Sequence, residues 1–389
     1  MTDFEINMKS SADLGNSTTK IIVRDGVGLK ARKQQTVYTH LPSIPRFEDE
    51  DVHTLVSNLH KNMVVHITSP SIARNGLYAV GELAKSKDGT ELDISHDKKA
   101  DHDITIIQPL VMTAVTAIQN TFEQTNELPK ALTINVEYAT AIPVVDHSKA
   151  IEKQLEARLK GTHLVVVYVG EGLQTQVTVN ITAAKVVQEG IPALYALVEA
   201  DESMFLEYNK RYGVNFTGRD FTNRKILFVD IGDGTTELIN VVDGRPIFTK
   251  SNGIRAGVGH VSEKAMQSFI DKYRFNSELK RAMFMDKVLN KRDKWHNEAN
   301  KELELMMIEQ ENKLFNTILS TVEKTLLNDV DDIVCFGGGT NVFTSLEQRL
   351  IDYAERYKIR VLWIKGKQSA LLNAIGLDEL NTKVFFKKG

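Results

Sequence analysis

The chain has 389 residues, 42% hydrophobic and 25% charged, with a formal net charge of −3. That length exceeds what a single hydrophobic core comfortably supports, so two soluble globular domains with a cleft between them are expected. The near-neutral balance excludes a whole-protein field that would draw the chain to nucleic acid or to an anionic membrane.

No apolar run approaches the roughly 20 residues of a spanning helix, and the start, Met1-Thr2-Asp3-Phe4-Glu5, lacks a basic and apolar leader. A lone cysteine, Cys335, sits in the apolar run 333–336. A disulfide framework is therefore ruled out, and a reducing cytoplasm fits.

In chain order, the first half opens with strands: a run ending at Asp13, then 20–23, 63–67 and 77–80, with loop signals at Pro42, Pro45 and Asp88-Gly89. Residues 106–122 place Ile107, Leu110, Val111, Ala114, Val115, Ile118 and Phe122 at i, i+3, i+4 spacing, which predicts an amphipathic helix against a sheet. A strand over 131–136, a helix over 148–159, strands over 164–168 and 175–187 and a long helix from 190 to 212 complete this half. The pattern then restarts with strands at 225–230 and 238–242, a helix over 258–273 and a nearly all-helical stretch from 277 to 327. The apolar positions over 295–327 keep no strict heptad, so a surface helix is expected rather than a coiled coil. Strand 332–336, helix 342–356, strand 360–363 and helix 368–377 finish the chain. Strands alternating with helices on this scale predict sheets covered on their faces.

Two stretches repeat one another. Asp13-Leu14-Gly15-Asn16-Ser17-Thr18-Thr19 and Asp230-Ile231-Gly232-Asp233-Gly234-Thr235-Thr236 carry Asp, Gly, Thr and Thr at the same offsets. Each follows one strand and precedes another that closes on an Asp-Gly turn, Asp25-Gly26 and Asp243-Gly244. Two such hairpin tips, facing each other, would turn backbone N–H groups and hydroxyls toward phosphates, with Lys20 adding a full positive charge. Hydrogen bonds to a charged group contribute about 1.5–3 kcal/mol each, so a few suffice to hold a triphosphate.

Asp13 and Asp230 stand at strand ends. Converging carboxylates beside phosphates favour Mg²⁺ with most of its waters retained; the bland alternative, turn-capping Asp residues, accounts for either one but not for the matched pair. A third turn, Gly337-Gly338-Gly339-Thr340, would let a flat base or ribose lie against the backbone. There is no Walker pattern, and Gly253-x-x-x-Gly257-x-Gly259 is no dinucleotide fingerprint, so P-loop and Rossmann readings fall away.

In order, spacing and residue type, these loops resemble those of the actin superfamily of ATPases. Residues 13–20 match the first phosphate loop, 230–237 the second and 336–341 the adenosine loop, so that the resemblance spans almost the whole chain. The stretch Val187-Gln188-Glu189-Gly190-Ile191-Pro192-Ala193-Leu194-Tyr195 is similar to one in plasmid-segregation actins of the ParM type, where a Glu orients the attacking water. Glu189 takes that place, with Gln188 where those proteins often carry Pro; a carboxylate just before a helix is also favoured by the helix dipole.

The resemblance implies an α/β, ribonuclease-H-like duplicated actin-like fold with two domains around a nucleotide cleft. The first would span residues 1–188 with an inserted subdomain near 30–100, the second 189–368 with a helical subdomain near 275–327, and residues 369–389 would return to the first. It implies ATP, with GTP as the alternative, and Mg²⁺ at Asp13 and Asp230. Catalysis would fall to Glu189, Asp230 and Asp13. Nucleotide contacts would come from Gly15, Asn16, Ser17, Thr18, Thr19 and Lys20, from Gly232, Asp233, Gly234, Thr235 and Thr236, and from Gly337, Gly338, Gly339 and Thr340. Small residues over 139–143 and at Ala370, Ala374 and Gly376 fall where such folds cross between halves, which suggests a hinge.

Among relatives, a chaperone ATPase would need a substrate domain after the last helix, where only residues 381–389 follow, and sugar kinases usually have longer chains. A membrane-associated cell-shape homologue would need an amphipathic anchor; Thr2-Asp3-Phe4-Glu5-Ile6-Asn7 is too acidic for one and Lys383-Val384-Phe385-Phe386-Lys387-Lys388 too short. The resemblance therefore implies a cytoplasmic plasmid-segregation ATPase that self-associates into filaments through head-to-tail contacts that do not close. Such a protein meets DNA through a small DNA-binding adaptor on a centromere-like site, with no direct nucleic-acid binding and no membrane. A small-molecule kinase or a cell-shape homologue is the alternative.

Overall fold

Val, Ile and Thr recur through most of the predicted strands, and those runs pair into ladders. The computed structural model describes residues 4–386 apart from 48–49, 88, 92–98, 255, 277 and 328. Thr2, Asp3, Asp88, Ser277 and Lys387-Lys388, all used in the readings above, lie outside the described residues. The chain divides into two compact units, Met1–Ala196 with Asn373–Gly389, and Leu197–Leu372. Among the described residues no helix is long and apolar enough to cross a membrane.

Among the described residues the first unit holds a ten-stranded sheet. Its strands are β1 (Phe4–Leu14), β2 (Thr18–Arg24), β3 (Leu29–Gln35), β4 (Val37–His40), β5 (Met63–Thr68), β6 (Gly76–Val80), β7 (Thr90–Glu91), β8 (Ala131–Ile142), β9 (Gly161–Gly170) and β10 (Leu173–Gln188). They lie in the order β3-β2-β1-β8-β10-β9-β5-β6-β4-β7. β1 and β2 form an antiparallel hairpin, while β8 runs parallel to both β1 and β10.

Helices α1 (Val52–Asn58), α2 (Glu82–Lys85), α3 (Ile104–Thr125) and α4 (Lys149–Leu159) cover the sheet. The predicted stripe of α3, from Ile107 to Phe122, shares one core with Ile134, Val136, Val165 and Val179. The remaining faces of α3 are buried too, because its polar residues find partners: Gln108 donates to the Gln35 carbonyl (2.6 Å) and Gln119 to the Val56 carbonyl (2.7 Å).

Among the described residues the second unit holds a six-stranded sheet of β11 (Lys225–Ile231), β12 (Thr236–Val242), β13 (Arg245–Pro246), β14 (Asn252–Ile254), β15 (Asp332–Phe336) and β16 (Arg360–Trp363). The order is β13-β12-β11-β15-β16, with β14 on β12. An antiparallel hairpin, β11–β12, is followed by two parallel partners, β15 and β16. That is the pattern of β3-β2-β1-β8-β10, so the duplication read from the loops extends through the sheets. Cys335 is free and buried on β15, where it packs as a small hydrophobic residue.

Three helical stretches differ from the sequence reading. The helix expected over 190–212 is α5 (Ile191–Val198), a 3-10 turn and α6 (Leu206–Tyr212), because the Asp201 carboxylate accepts from the Ser203 N–H (2.8 Å) and caps a new start. After α7 (Val258–Tyr273), the stretch 277–327 is α8 (Arg281–Leu289) and α9 (His296–Ser320), parted where Asp293 accepts from the Trp295 N–H (2.8 Å). α8 and α9 enclose an aromatic cluster of Phe269, Phe284 and Trp295, and the other end of α9 joins the core under β15. The helix expected from 342 begins at Thr344, as α10 (Thr344–Arg356), after a 3-10 turn at Gly338–Asn341.

α11 (Gly366–Leu380) follows, and it carries the chain from the second unit back to the first as α5 carries it out. A Cβ on Gly376 would stand 1.7 Å from the Pro192 carbonyl oxygen, so glycine is what lets α11 approach α5. β3 and β4 lack the apolar alternation that marks a strand. β3 is Leu-Lys-Ala-Arg-Lys-Gln-Gln, held by its ladder to β2.

Candidate functional site

In the first unit the β1–β2 register sets Asp13 opposite Lys20 and Leu14 opposite Thr19. The tip is closed by Gly15 N–H donating to the Thr18 carbonyl (3.1 Å), and a Cβ on Gly15 would stand 2.6 Å from that oxygen, so the turn requires glycine. Thr36, between β3 and β4, braces the tip: its hydroxyl donates to the Gly15 carbonyl (2.7 Å) and its N–H to the Ser17 carbonyl (3.1 Å). Thr19 is buried with its hydroxyl 3.0 Å from that of Thr36. Asn16, Ser17 and Thr18 are half-exposed at the tip.

The Lys20 ammonium donates to Asp13 Oδ2 (2.8 Å). Glu189 follows the last residue of β10, with its N–H donating to the Ile142 carbonyl (2.8 Å). Its carboxylate forms an ion pair with Lys99 (2.5 Å), and both side chains are buried. Burial pushes the Glu189 carboxyl above the usual range and the Asp13 charge adds to this, while Lys99 and Lys20 pull it back. The first unit thus gathers Asp13, Lys20, Lys99 and Glu189.

In the second unit the β11–β12 register sets Asp230 opposite Glu237 and Ile231 opposite Thr236. Gly232 N–H donates to the Thr235 carbonyl (2.9 Å), the counterpart of the Gly15 bond at the same place in the motif. The tip is braced by the start of α7, where Val258 N–H donates to the Gly232 carbonyl (3.1 Å) and Gly259 N–H to the Asp233 carbonyl (2.7 Å). A Cβ on Gly257 would stand 2.2 Å from the Asp233 oxygen, so the glycines around 257–259 serve close packing. Thr236 is buried and donates to the Ala256 carbonyl (2.9 Å). Arg281 Nη2 donates to Asp233 Oδ1 (2.8 Å).

The triple-glycine turn meets this hairpin. A Cβ on Gly337, whose φ is +97°, would stand 2.5 Å from Asp230 Oδ1, and one on Gly339 would stand 2.2 Å from Ile231 Cγ2. Two of the three glycines are thus required by packing against the end of β11, and only Gly338 faces open space. Thr340 is buried, its hydroxyl 2.8 Å from the Ile364 carbonyl and 2.9 Å from Ser369 Oγ. The second unit brings together Asp230, its loop and this turn.

Sequence reasoning missed Lys99, Thr36 and Arg281. Each acts on a partner far along the chain, and none stands in a recognisable motif; the glycine pair at 257 and 259 was visible, but its target was not. Among the described residues no three or more His, Cys, Asp or Glu side chains could together hold a metal. In each unit one carboxylate at a strand end, beside a loop rich in N–H and hydroxyl donors, suits a hard ion that keeps waters and shares phosphate oxygens. The donor set therefore fits a magnesium–nucleotide.

Residues 11–191 match the family described as actin like proteins N terminal domain. No curated protein sequence matches the chain. The fold is similar to the crystal structure of the actin-like protein Alp7A, at a TM-score of 0.66 and 19% identity over 97% of this chain and 96% of that one. It is similar to Bacillus thuringiensis ParM with ATP, at 0.59 and 18% over 96% and 98%, and to an archaeal actin homolog, at 0.65 and 12% over 97% and 99%. Bacillus thuringiensis ParM also has structures with ADP and with AMPPNP. Residues 11–191 thus match an actin-like N-terminal domain, and the chain has the actin-like fold along nearly its whole length.

Proposed function

We propose that this chain binds Mg²⁺–ATP, hydrolyses it and couples turnover to filament assembly in plasmid segregation. The observation that carries the reading is the repeated hairpin, one Asp-x-Gly turn with the same closing bond in each unit. Structures of Bacillus thuringiensis ParM with ATP, ADP and AMPPNP support adenine nucleotides, with GTP as the alternative.

Hydrolysis of a phosphoanhydride asks the protein for position and charge rather than covalent work. Glu189 would orient or deprotonate the water. The tips at 15–18 and 232–235 would donate N–H and hydroxyl hydrogens to phosphate oxygens, Lys20 would turn from Asp13 to a phosphate, and Gly338 would leave room for base or ribose. Asp13 and Asp230 would hold water molecules of the ion's shell. When bound, Mg²⁺ supplies neutralisation of phosphate charge. Thr19, Thr236 and Thr340, whose hydroxyls brace the scaffold, would act through the loop shape they maintain.

Self-association would be head-to-tail, in the cytoplasm. A small DNA-binding adaptor on a centromere-like site would link polymer to plasmid, and the chain itself would bind neither DNA nor membrane.

Sedimentation with ATP, ADP and a non-hydrolysable analogue tests assembly and its nucleotide dependence together, and assembly indifferent to nucleotide would overturn the reading. Glu189→Ala is expected to keep ATP affinity and slow hydrolysis by on the order of 10²-fold; unchanged turnover would remove Glu189 from the chemistry. Phosphate transfer stimulated by a sugar would replace the filament reading with a kinase.

A further inference from the structure

We propose that Lys99 is a positioning residue for hydrolysis: its buried ion pair holds the Glu189 carboxylate charged and in one orientation, and so ties the segment leading into α3 to turnover. The inference rests on the reading of Glu189 as the group that orients water.

The Lys99 ammonium lies 2.5 Å from Glu189 Oε1, and the two side chains are only 6% and 8% exposed. The backbone pins Glu189 at the same time. Its N–H is bonded to Ile142, and Gly190, at a φ of +83°, turns the chain at once toward α5. The side chain is thus held at both ends, which is what a group aiming a water requires.

The other charged groups near Glu189 could not replace this lysine. Asp13 carries the same sign, and the Lys20 ammonium is already 2.8 Å from Asp13. A carboxylate buried without a cation takes up a proton instead, and a protonated Glu189 is no longer a base. Lys99 occupies Oε1, so a water would be received at the other oxygen.

Full-length wild type, Lys99→Met and Lys99→Arg are compared for ATP affinity and for hydrolysis rate from acid to alkaline pH. The Met variant is expected to lose about 10-fold or more in kcat while ATP affinity stays within about two-fold. Its acidic limb should move to higher pH, and Arg should restore most of the rate. Wild-type kcat and limb in the Met variant would overturn the inference, as would a rate lost only in step with ATP affinity. Should the Met variant fail to fold, Lys99→Gln, which keeps a donor without the charge, should show the same loss.

A readout apart from turnover is thermal unfolding of the nucleotide-free protein. Lys99→Met and Glu189→Gln should each lower the Tm, and the double variant should recover part of the loss; strictly additive shifts would sink the ion pair's role. If wild type turns over no ATP, the proposed function fails and this inference with it. If wild type is active and the Met variant keeps pace, only the inference fails.

Discussion

The two hairpins are copies in their turns and strangers in their supports. Gly15 and Gly232 donate the same closing bond, yet the first tip leans on one threonine, Thr36, and the second on the glycine-led start of α7. The rung below differs in charge: Asp13 faces Lys20, whereas Asp230 faces Glu237, and like charges across a rung repel. The roots differ in depth. Arg24, at the end of β2, holds Asp378 by one oxygen (2.6 Å), while Arg224, just before β11, and Tyr208 together hold both oxygens of fully buried Asp332. A turn is written by a few adjacent residues and survives duplication; the bracing is supplied by whatever the topology brings near, so the two copies were free to diverge.

The largest effect is expected at the deeper root. Arg224→Met leaves the Asp332 carboxylate buried with its cation gone and should cost about 3–5 kcal/mol at neutral pH. Burial pushes Asp332 above the ordinary carboxylate value of 3.8, so its contribution to stability is full below that pH and declines as pH rises through the raised pKa. Removing the arginine raises that pKa further, so the difference from wild type should shrink on acidification. Arg24→Met, with a more exposed arginine, should cost less than half as much. Both tryptophans, Trp295 and Trp363, lie in the second unit, so fluorescence reports its unfolding while circular dichroism reports both. Equal costs for the two arginines would erase the distinction between the roots.

Next comes the rung. Lys20→Met strips Asp13 of its partner in a largely buried site and should cost about 2–3 kcal/mol, reduced from the fully buried case because Lys20 is partly exposed. Under the proposed function it should also weaken ATP binding by on the order of 10-fold. A loss seen in the tryptophan signal alone would place the damage in the wrong unit.

How much of this could be read in advance follows the same division. The tips were legible because Asp-x-Gly followed by threonines dictates a local geometry, and α7, β15 and β16 begin and end where the periodicity predicts. Even so, one dipeptide made two turns. Asp243 and Gly244, at φ of +49° and +71°, form a two-residue turn between Val242 and Arg245, whereas Asp25 accepts from the N–H groups of Val27 and Gly28 and spans a longer loop from Arg24 to Leu29. Lys99, Thr36 and Arg281 were illegible because their meaning lies in a partner that only the folded chain brings close. The triple-glycine run was legible as a turn but not in its division of labour, since packing on β11 claims Gly337 and Gly339.

A smaller effect probes the braces. Gly257→Ala forces a methyl to within 2.2 Å of the Asp233 carbonyl oxygen, a backbone atom that cannot rotate away. The start of α7 must then retreat, at a cost of about 1–3 kcal/mol. The tryptophan-reported transition should fall, and Arg281, which reaches Asp233 from α8, should lose its bond as the tip shifts. An unchanged transition would mean that the second tip is held by its own turn alone.

The smallest expected effect is the matching change in the first unit. Thr36→Val keeps the shape of the side chain but removes the hydroxyl that donates to the Gly15 carbonyl and stands beside the Thr19 hydroxyl. The Thr36 N–H still holds Ser17, and the half-exposed Gly15 can be reached by water, so about 1 kcal/mol is expected and no more than a few-fold loss of ATP affinity. The tryptophan signal should stay silent, because both indoles belong to the other unit. If Thr36→Val instead costs as much as Gly257→Ala, the single threonine is as strong a brace as the packed helix start, and the contrast in how the two tips are held would have no energetic counterpart.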